Sequence, residues 1–158
     1  MEHYERQALT EQQYATMCEA LDLQEFKYEK VEDKNMIQLG FQGDQGEILI
    51  NIHFDVDRCL LSVMNLLPVS FGKEEVLATI AIAHTNYQLL EGWFLMDPES
   101  GKICFKLTSS YYETNLDHEH MRYMIALSYE MSNKYAGIFH RLANGTLSLQ
   151  DYLQGKTE

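Results

Sequence analysis

Positive charge is scarce in this sequence, which has 12 lysine and arginine residues against 24 aspartate and glutamate residues in 158 positions. The formal net charge is therefore −12. A negative surface repels phosphate backbones and anionic lipid headgroups. We therefore expect no nucleic acid and no membrane among the partners of this protein.

Long hydrophobic runs are also missing. No apolar stretch approaches the roughly 18 residues that a membrane-spanning helix needs, and the first residues, MEHYERQALTEQQ, lack the apolar centre of a signal peptide. A chain of this length buries about 70% of its unfolded surface, which supports one hydrophobic core. The sequence thus predicts one domain over residues 1–158 in the cytoplasm.

Cysteine is sparse and never paired in sequence. Cys18, Cys59 and Cys104 lie far apart, and an odd number does not suit a disulfide framework. Each has apolar neighbours, which favours three small buried side chains. Cys104 comes closest to a reactive thiol, because Lys102 and Lys106 lie two residues away on the same strand face.

Motifs for catalysis and metal binding are absent from the sequence: it has no nucleophile elbow, no phosphate-binding loop and no GxGxxG. His118 and His120 lie two residues apart in a predicted helix, where their side chains point about 200° apart and cannot share a metal. We interpret Asp117 as the helix cap and Glu119 as a charge that suits the helix dipole. The sequence predicts no enzyme activity, no metal and no cofactor.

The N-terminal region predicts an acidic helix. Thr10 and Gln13 have the spacing of a capping box, and apolar residues then recur at helical intervals, which predicts a helix over residues 10–23. Residues 1–33 contain nine acids and three bases, half of the net charge. This charge is typical of a solvated helix face, and it could also steer a basic partner at low ionic strength.

Strands follow this helix. One is predicted over residues 25–31 and continues after a bend at 32–35 into 36–41. After a turn at 42–46, the segment EILINIHFD alternates strictly and directs Ile48, Ile50, Ile52 and Phe54 to one face. Residues 58–65 return as the next strand, which predicts an antiparallel meander. The segment LLPVSFG is then expected to be a loop.

The second half predicts a helix, a hairpin and a long helix, over residues 73–90, 93–108 and 117–144. The resulting order, α-β-β-β-α-β-β-α, is typical of an α+β fold, with an antiparallel sheet and helices packed on it.

The long C-terminal helix has two apolar flanks. One contains three of the eight methionines, and its members include Met121, Met124, Met131, Tyr135 and Ile138. Methionine suits surfaces that repack against several partners, so we predict that these five residues bind a partner protein. The second flank contains Ile125, Tyr129 and Phe139. The alternative is that the methionines are ordinary core residues.

The segment Leu107–Asn115, LTSSYYETN, is rich in hydroxyl groups at the end of a strand. It predicts either a hydrogen-bonding rim for a ligand or a solvated loop before a capped helix.

Residues Asn86–Phe105, NYQLLEGWFLMDPESGKICF, carry a family resemblance. An asparagine at a helix end, then Gly92, Phe94 and Asp97, then Ser100-Gly101, resembles the YbjN-like family of small bacterial proteins. That family is related in fold to the class I type III secretion chaperones. Gly92 and Gly101 are expected to be turn glycines in any case.

The resemblance implies a chaperone-like α+β sandwich that is usually dimeric and has no catalytic residues and no cofactor. Secretion chaperones of this fold wrap extended client segments around sheet edges and apolar grooves. With the apolar stripe of the second helix, this implies a dimer interface at Ile80, His84, Tyr87 and Trp93.

We therefore predict a non-enzymatic protein-binding module, a chaperone-like or regulatory adaptor, that acts as a homodimer on an unknown protein client. Clients would bind by strand addition or in grooves beside the third helix. The alternative function is a small-molecule-sensing regulatory domain that uses the Leu107–Asn115 rim and a pocket between the sheet and the helices.

Overall fold

The computed structural model describes the backbone of residues 1–158 and every side chain except that of Glu32. The elements follow in the order α1 (His3–Leu23), β1 (Glu29–Val31), a 3-10 turn (Glu32–Lys34), β2 (Met36–Gly43), β3 (Gly46–Asp55), β4 (Leu60–Ser70), α2 (Glu75–Gln88), β5 (Trp93–Met96), β6 (Lys102–Ser110), α3 (His118–Ala143) and α4 (Leu149–Leu153).

The strands form one antiparallel sheet in the order β1-β2-β3-β4-β6-β5. The alternation in β3 is confirmed, because Ile48, Ile50, Ile52 and Phe54 are all buried. Ile50 pairs with Leu39 of β2 on one side and with Asn65 of β4 on the other. The predicted α+β class, with an antiparallel sheet and helices packed on it, is confirmed.

The first run of strands contains four strands, whereas the sequence predicted three. The segment predicted as one strand with a bend at 32–35 is a hairpin of β1 and β2. The 3-10 turn reverses the chain there, and Val31 pairs with Met36 in an antiparallel register. This turn is short and its residues are charged, so it shows no hydrophobic periodicity. The sequence pattern therefore could not distinguish a bend within one strand from a reversal between two strands.

Strand β4 extends to Ser70, so the predicted loop LLPVSFG is largely strand. Pro68 is accommodated because the pairing of β3 with β4 stops at Leu66, and the register between β4 and β6 shifts between Leu66 and Ser70. Proline lacks the amide hydrogen of a regular ladder and is tolerated at such irregular positions.

Helices α1 and α3 cover one face of the sheet, where α3 packs on β4 and β6 and α1 packs on α3 and β3. The bounds of α3 agree with the prediction, and the Asp117 cap is confirmed: the amide of His120 donates to Asp117 Oδ1 over 2.8 Å. Aromatic rings from β5 and α3 meet in the core, with the centroids of Phe94 and Phe139 5.2 Å apart. Among the described residues, no helix is both long and apolar enough to cross a membrane.

Helix α1 begins at His3, so the predicted start at Thr10 is wrong. Thr10 and Gln13 are buried inside the helix. Gln13 Oε1 accepts the amide hydrogen of Leu116 over 2.9 Å, and Thr10 Oγ1 lies 2.8 Å from the hydroxyl of Tyr111. The spacing that resembled a capping box instead joins α1 to the segment after β6.

The apolar stripe of α2 is mostly exposed. The residues that α2 buries are Ala78, Ala81, Ile82 and Thr85, and its neighbours are β5 and α4. Three of these side chains are small, which lets the helix backbone approach its neighbours closely. Of the larger apolar residues of α2, Ile82 is buried, whereas Val76, Ile80 and Tyr87 are exposed.

Candidate protein-binding surfaces

Large apolar side chains are exposed on α2, in the loop after it and at the start of β5. We call this set the α2–β5 surface; its members are Val76, Ile80, Tyr87, Leu90 and Trp93. Tyr87 is 92% exposed and Val76 is 73% exposed. Clustered exposed apolar residues of this size are typical of sites where another molecule binds.

Three of the four residues predicted for a dimer interface, Ile80, Tyr87 and Trp93, belong to this surface. The fourth, His84, is half-buried and turns toward α4, where its ring meets that of Tyr152 edge-on at 5.1 Å. His84 therefore supports the packing of α2. Its role, and that of the other three residues, in a dimer stays a prediction.

Asn86 joins the end of α2 to the edge strand β5. Its Nδ2 donates to the carbonyl of Phe94 over 2.9 Å, and its Oδ1 accepts the amide hydrogen of Phe94 over 2.7 Å. The side chain thus occupies backbone groups that an added strand would otherwise use. This places α2 and β5 together and protects that edge of the sheet.

Two glycines of the resemblance adopt backbone conformations that suit glycine. Gly92 and Gly101 have φ values of +72° and +70°. A Cβ on Gly92 would clash with the ring of Phe105, and one on Gly101 would lie 2.9 Å from the backbone of Gly72. The prediction that both are turn glycines is confirmed.

A groove of about 700 Å³ separates the C-terminal part of α1 from the N-terminal half of α3. We call it the α1–α3 groove; its apolar lining includes Leu21, Phe26, Phe41, Met121, Ile125 and Tyr129. The ring centroids of Phe26 and Phe41 are 4.8 Å apart, and those of Phe41 and Tyr129 are 5.4 Å apart. The hydroxyl of Tyr129 donates to the carbonyl of Gln42 over 3.1 Å. These contacts hold the aromatic part of the lining in place.

The five residues predicted to bind a partner lie at different depths. Met121, Met124 and Tyr135 are buried, and burial raises the pKa of the Tyr135 hydroxyl. Met131 and Ile138 are half-buried and pack against the core. Met121 is the member that also lines the α1–α3 groove. Whether a partner contacts any of the five stays a prediction.

The sequence predicted client grooves beside the third helix but did not identify the walls of this groove, although one signal for it was present. Ile125 and Tyr129 belong to the second apolar flank of α3 and line the groove, whereas Phe139 of that flank is buried in the core. The other wall comes from α1 and β2, which are distant in sequence. A helix with two apolar flanks does not by itself show what its second flank meets.

The hydroxyl-rich segment Leu107–Asn115 does not reach this groove. Tyr111 is buried, its hydroxyl donates to the carbonyl of Asp55 over 3.0 Å, and burial raises its pKa. The segment therefore anchors α1 and β3 to the end of β6. The alternative function, a small-molecule-sensing domain, required the Leu107–Asn115 rim to border a pocket between the sheet and the helices. The rim does not line the α1–α3 groove, so this alternative is not favoured.

The polar side chains at the start of α3 make local contacts. His118 Nε2 lies 2.8 Å from Glu19 Oε2, and His120 Nε2 lies 3.0 Å from Ser109 Oγ. Among the residues whose side chains are described, no group of three or more His, Cys, Asp or Glu side chains is placed to hold a metal ion.

The cysteine with basic neighbours is not activated. Cys18 and Cys59 are buried and Cys104 is half-buried. Burial raises the pKa of the Cys104 thiol, the carboxylate of Asp97 adds to the rise, and Lys102 opposes it. A raised pKa means less thiolate at neutral pH and hence lower reactivity.

The architecture defines a class: an α+β protein with one six-stranded antiparallel sheet and helices packed on it. No protein-family model matches the sequence, and no curated protein matches it significantly. Solved structures do match the fold.

A chain of the ExsC–ExsE complex superposes with a TM-score of 0.64 at 13% identity, over 84% of this chain and 96% of that one. YbjN from E. coli, described as a proposed transcription regulator, superposes with a TM-score of 0.53 at 14% identity, over 85% of this chain and 93% of its own. A chain of the HopA1–SchA chaperone–effector complex matches at 13% identity over 90% of this chain and 91% of that one. Its TM-score of 0.45 is too low to support a conclusion about the fold. The YbjN-like fold that the resemblance implied is confirmed.

Proposed function

We propose that residues 1–158 act as one non-enzymatic protein-binding module, a chaperone-like or regulatory adaptor, and that two copies pair through the α2–β5 surface. The observation that carries this proposal is the exposure of five large apolar side chains on that surface. Removal of apolar area from water contributes about 25 cal/mol per Å² to the free energy of association, so burial of this surface against a second copy would stabilise the dimer.

Two features support a dimer at this place. The backbone of β5 at Phe94 is already occupied by Asn86, so contact here would be made by side chains. Tyr87 and Trp93 are also the aromatic residue types that are enriched at the centres of interfaces. A stable interface buries about 800 Å² of each partner. The five apolar side chains would supply part of this area, and neighbouring exposed side chains of α2 would supply the rest.

The adaptor role is supported by the fold. A chain of this fold takes part in the ExsC–ExsE complex, and we extend partner binding to this protein as a proposal. The proposal places the module in the cytoplasm, where cysteine thiols stay reduced. It assigns the protein a protein client and no nucleic acid, membrane, metal or cofactor.

Light scattering coupled to size exclusion tests the dimer. At tens of micromolar (about the concentration where moderate interfaces are occupied), we expect the wild type to have twice the chain mass of 18.4 kDa. Ile80→Glu and Tyr87→Glu should give the monomer mass, because a carboxylate in an apolar interface loses its hydration.

Leu23→Glu is the matched control, because Leu23 is 71% exposed but lies on α1; this variant should remain dimeric. Circular dichroism would establish that each variant is folded. A monomeric wild type, or dimeric Ile80→Glu and Tyr87→Glu variants, would exclude this surface as the homodimer interface.

A further inference from the structure

The α1–α3 groove combines an apolar interior with an acidic mouth. Two carboxylates, Glu119 and Glu130, line it together with one cation, Arg122. Arg122 is already engaged, since its Nη2 lies 3.0 Å from Glu119 Oε2. The lining therefore leaves Glu130 as an exposed negative charge without a compensating cation among the lining residues that the structure describes.

The end of α1 adds negative character at the same place. Gln24, the C-cap residue of α1, lines the groove, and its neighbours Asp22 and Glu25 are exposed acids. All side chains in the last turn of α1 are described, and none of them is basic. The carboxyl end of a helix carries a partial negative charge that favours cations, but the amino end of α3, whose first-turn residue Glu119 also lines the groove, carries a partial positive charge that opposes it. The acidic character of the groove therefore comes from its carboxylates.

The walls of the groove favour a helical occupant over an extended one. Helices α1 and α3 form two of the walls, and their backbone groups are bonded internally. Beyond Gln38, β2 pairs with β3 alone, but the carbonyl of Gln42 on its open edge already accepts the hydroxyl of Tyr129. An extended peptide that lies between the two helices, away from the edge of β2, would place its own amide groups against apolar side chains without partners, which costs free energy, whereas a helix satisfies its backbone internally.

We propose that the α1–α3 groove binds a short amphipathic helix of a partner protein, with apolar residues in the groove and lysine or arginine residues flanking them. The size fits, because a groove of about 700 Å³ lies in the range that holds several large side chains. Tyr123 is an exposed residue of the lining and adds to the apolar contact. This inference rests on the proposed protein-binding function and names the chemistry of its client.

Fluorescence anisotropy with defined peptides tests the proposal. The probe is a labelled peptide of about four helical turns, with leucine at i, i+3, i+4 and i+7 and lysine elsewhere; the control peptide has glutamate at every lysine position. We expect the lysine peptide to bind, to become helical by circular dichroism and to bind more weakly as salt is raised.

Variants of the groove then locate the site. Ala126 is an exposed alanine of α3 that lines the groove, and Ala126→Arg should weaken binding by about tenfold or more, because it fills the groove and cancels the net negative charge of the lining. Ala15→Arg makes the same change at an exposed position of α1 outside the lining and should bind as the wild type does. Glu130→Gln should weaken binding about two- to fivefold, and Glu99→Gln, in the β5–β6 turn, should not.

Several results would overturn the assignment: no binding of the lysine peptide, equal binding of the glutamate peptide, an extended bound conformation, or equal affinity of the Ala126→Arg and Ala15→Arg variants. A monomer mass for Ala126→Arg would instead assign the groove to a second copy of the chain. The light-scattering mass of the Ile80→Glu and Tyr87→Glu variants tests the dimer separately from peptide binding. A dimer that binds no peptide would therefore reject this inference and leave the proposed homodimer intact.

Discussion

Buried polar side chains connect segments that are distant in the chain. The hydroxyl of Tyr111 bridges Thr10 of α1 and the carbonyl of Asp55 at the end of β3. Asn65, buried in β4, donates from Nδ2 to Ser132 Oγ of α3 over 3.0 Å. Such bonds contribute modestly when formed and cost more when one partner is lost. They therefore specify how α1 and α3 sit on the sheet.

Removal of the Tyr111 hydroxyl should measure this contribution. We expect Tyr111→Phe to lower the free energy of unfolding by about 1–3 kcal/mol, because Thr10 and the Asp55 carbonyl lose a buried partner. Urea denaturation followed by circular dichroism gives the value. The matched control is Tyr112→Phe at the next residue, whose side chain is exposed. Equal losses in the two variants would show that the hydroxyl of Tyr111 does not stabilise the fold.

At the scale of elements, the placement of α2 depends on its two ends and on α4. Asn86 holds the C-terminal end of α2 to β5, and Thr85 Oγ1 lies within hydrogen-bond distance of the Tyr152 hydroxyl on α4. Small buried residues allow α2 to approach its neighbours, and large residues such as Val76 and Tyr87 face solvent. The same arrangement that buries one side of α2 creates the α2–β5 surface.

The link between α2 and β5 can be tested at Asn86. We expect Asn86→Ala to lower the free energy of unfolding by about 1–3 kcal/mol, because two backbone groups of Phe94 lose their partner. The amide of Phe94 should also exchange its hydrogen faster. Asn86→Asp keeps the acceptor for that amide and loses the donor, so its effect should be intermediate. Unchanged exchange at Phe94 in Asn86→Ala would contradict this role.

At the scale of the whole molecule, a net charge of −12 accompanies exposed apolar surface. Like charges on separate molecules repel each other and oppose non-specific association through that surface. The acidic N-terminal region has a more specific place in the structure, since α1 contributes to the mouth of the α1–α3 groove. Under the proposal above, the basic partner that the sequence left open would bind at this groove.

Acid should therefore promote association. Lowering the pH protonates carboxylates and histidines, so the net charge rises from −12 and reaches zero near the isoelectric point, at a pH of about 4.8. We expect light scattering to show assemblies larger than a dimer near this pH. The combined Ile80→Glu, Tyr87→Glu variant should associate less, because it has less exposed apolar surface. An unchanged mass across this pH range would show that charge does not control association.

Much of the fold could be predicted from local patterns. The alternation of β3 and the Asp117 cap of α3 involve residues within a few positions of one another, and both predictions are confirmed. The Asn86–Phe105 segment also indicated the fold correctly. Predictions failed where a residue's role depends on distant segments: Thr10 and Gln13 bond to residues about 100 positions away, which no local spacing reveals.

The sequence by itself determined the acidity, the periodic strands and the amphipathic helices, because these follow from the order of neighbouring side chains. Only the tertiary structure decided which side of α2 is buried and that α1, α3 and β2 enclose a groove. The physical reason is that burial depends on what packs against a side chain, and here the packing partners come from distant parts of the chain. The charge of α1 was visible from the start, but its position beside an apolar groove gives that charge a proposed partner.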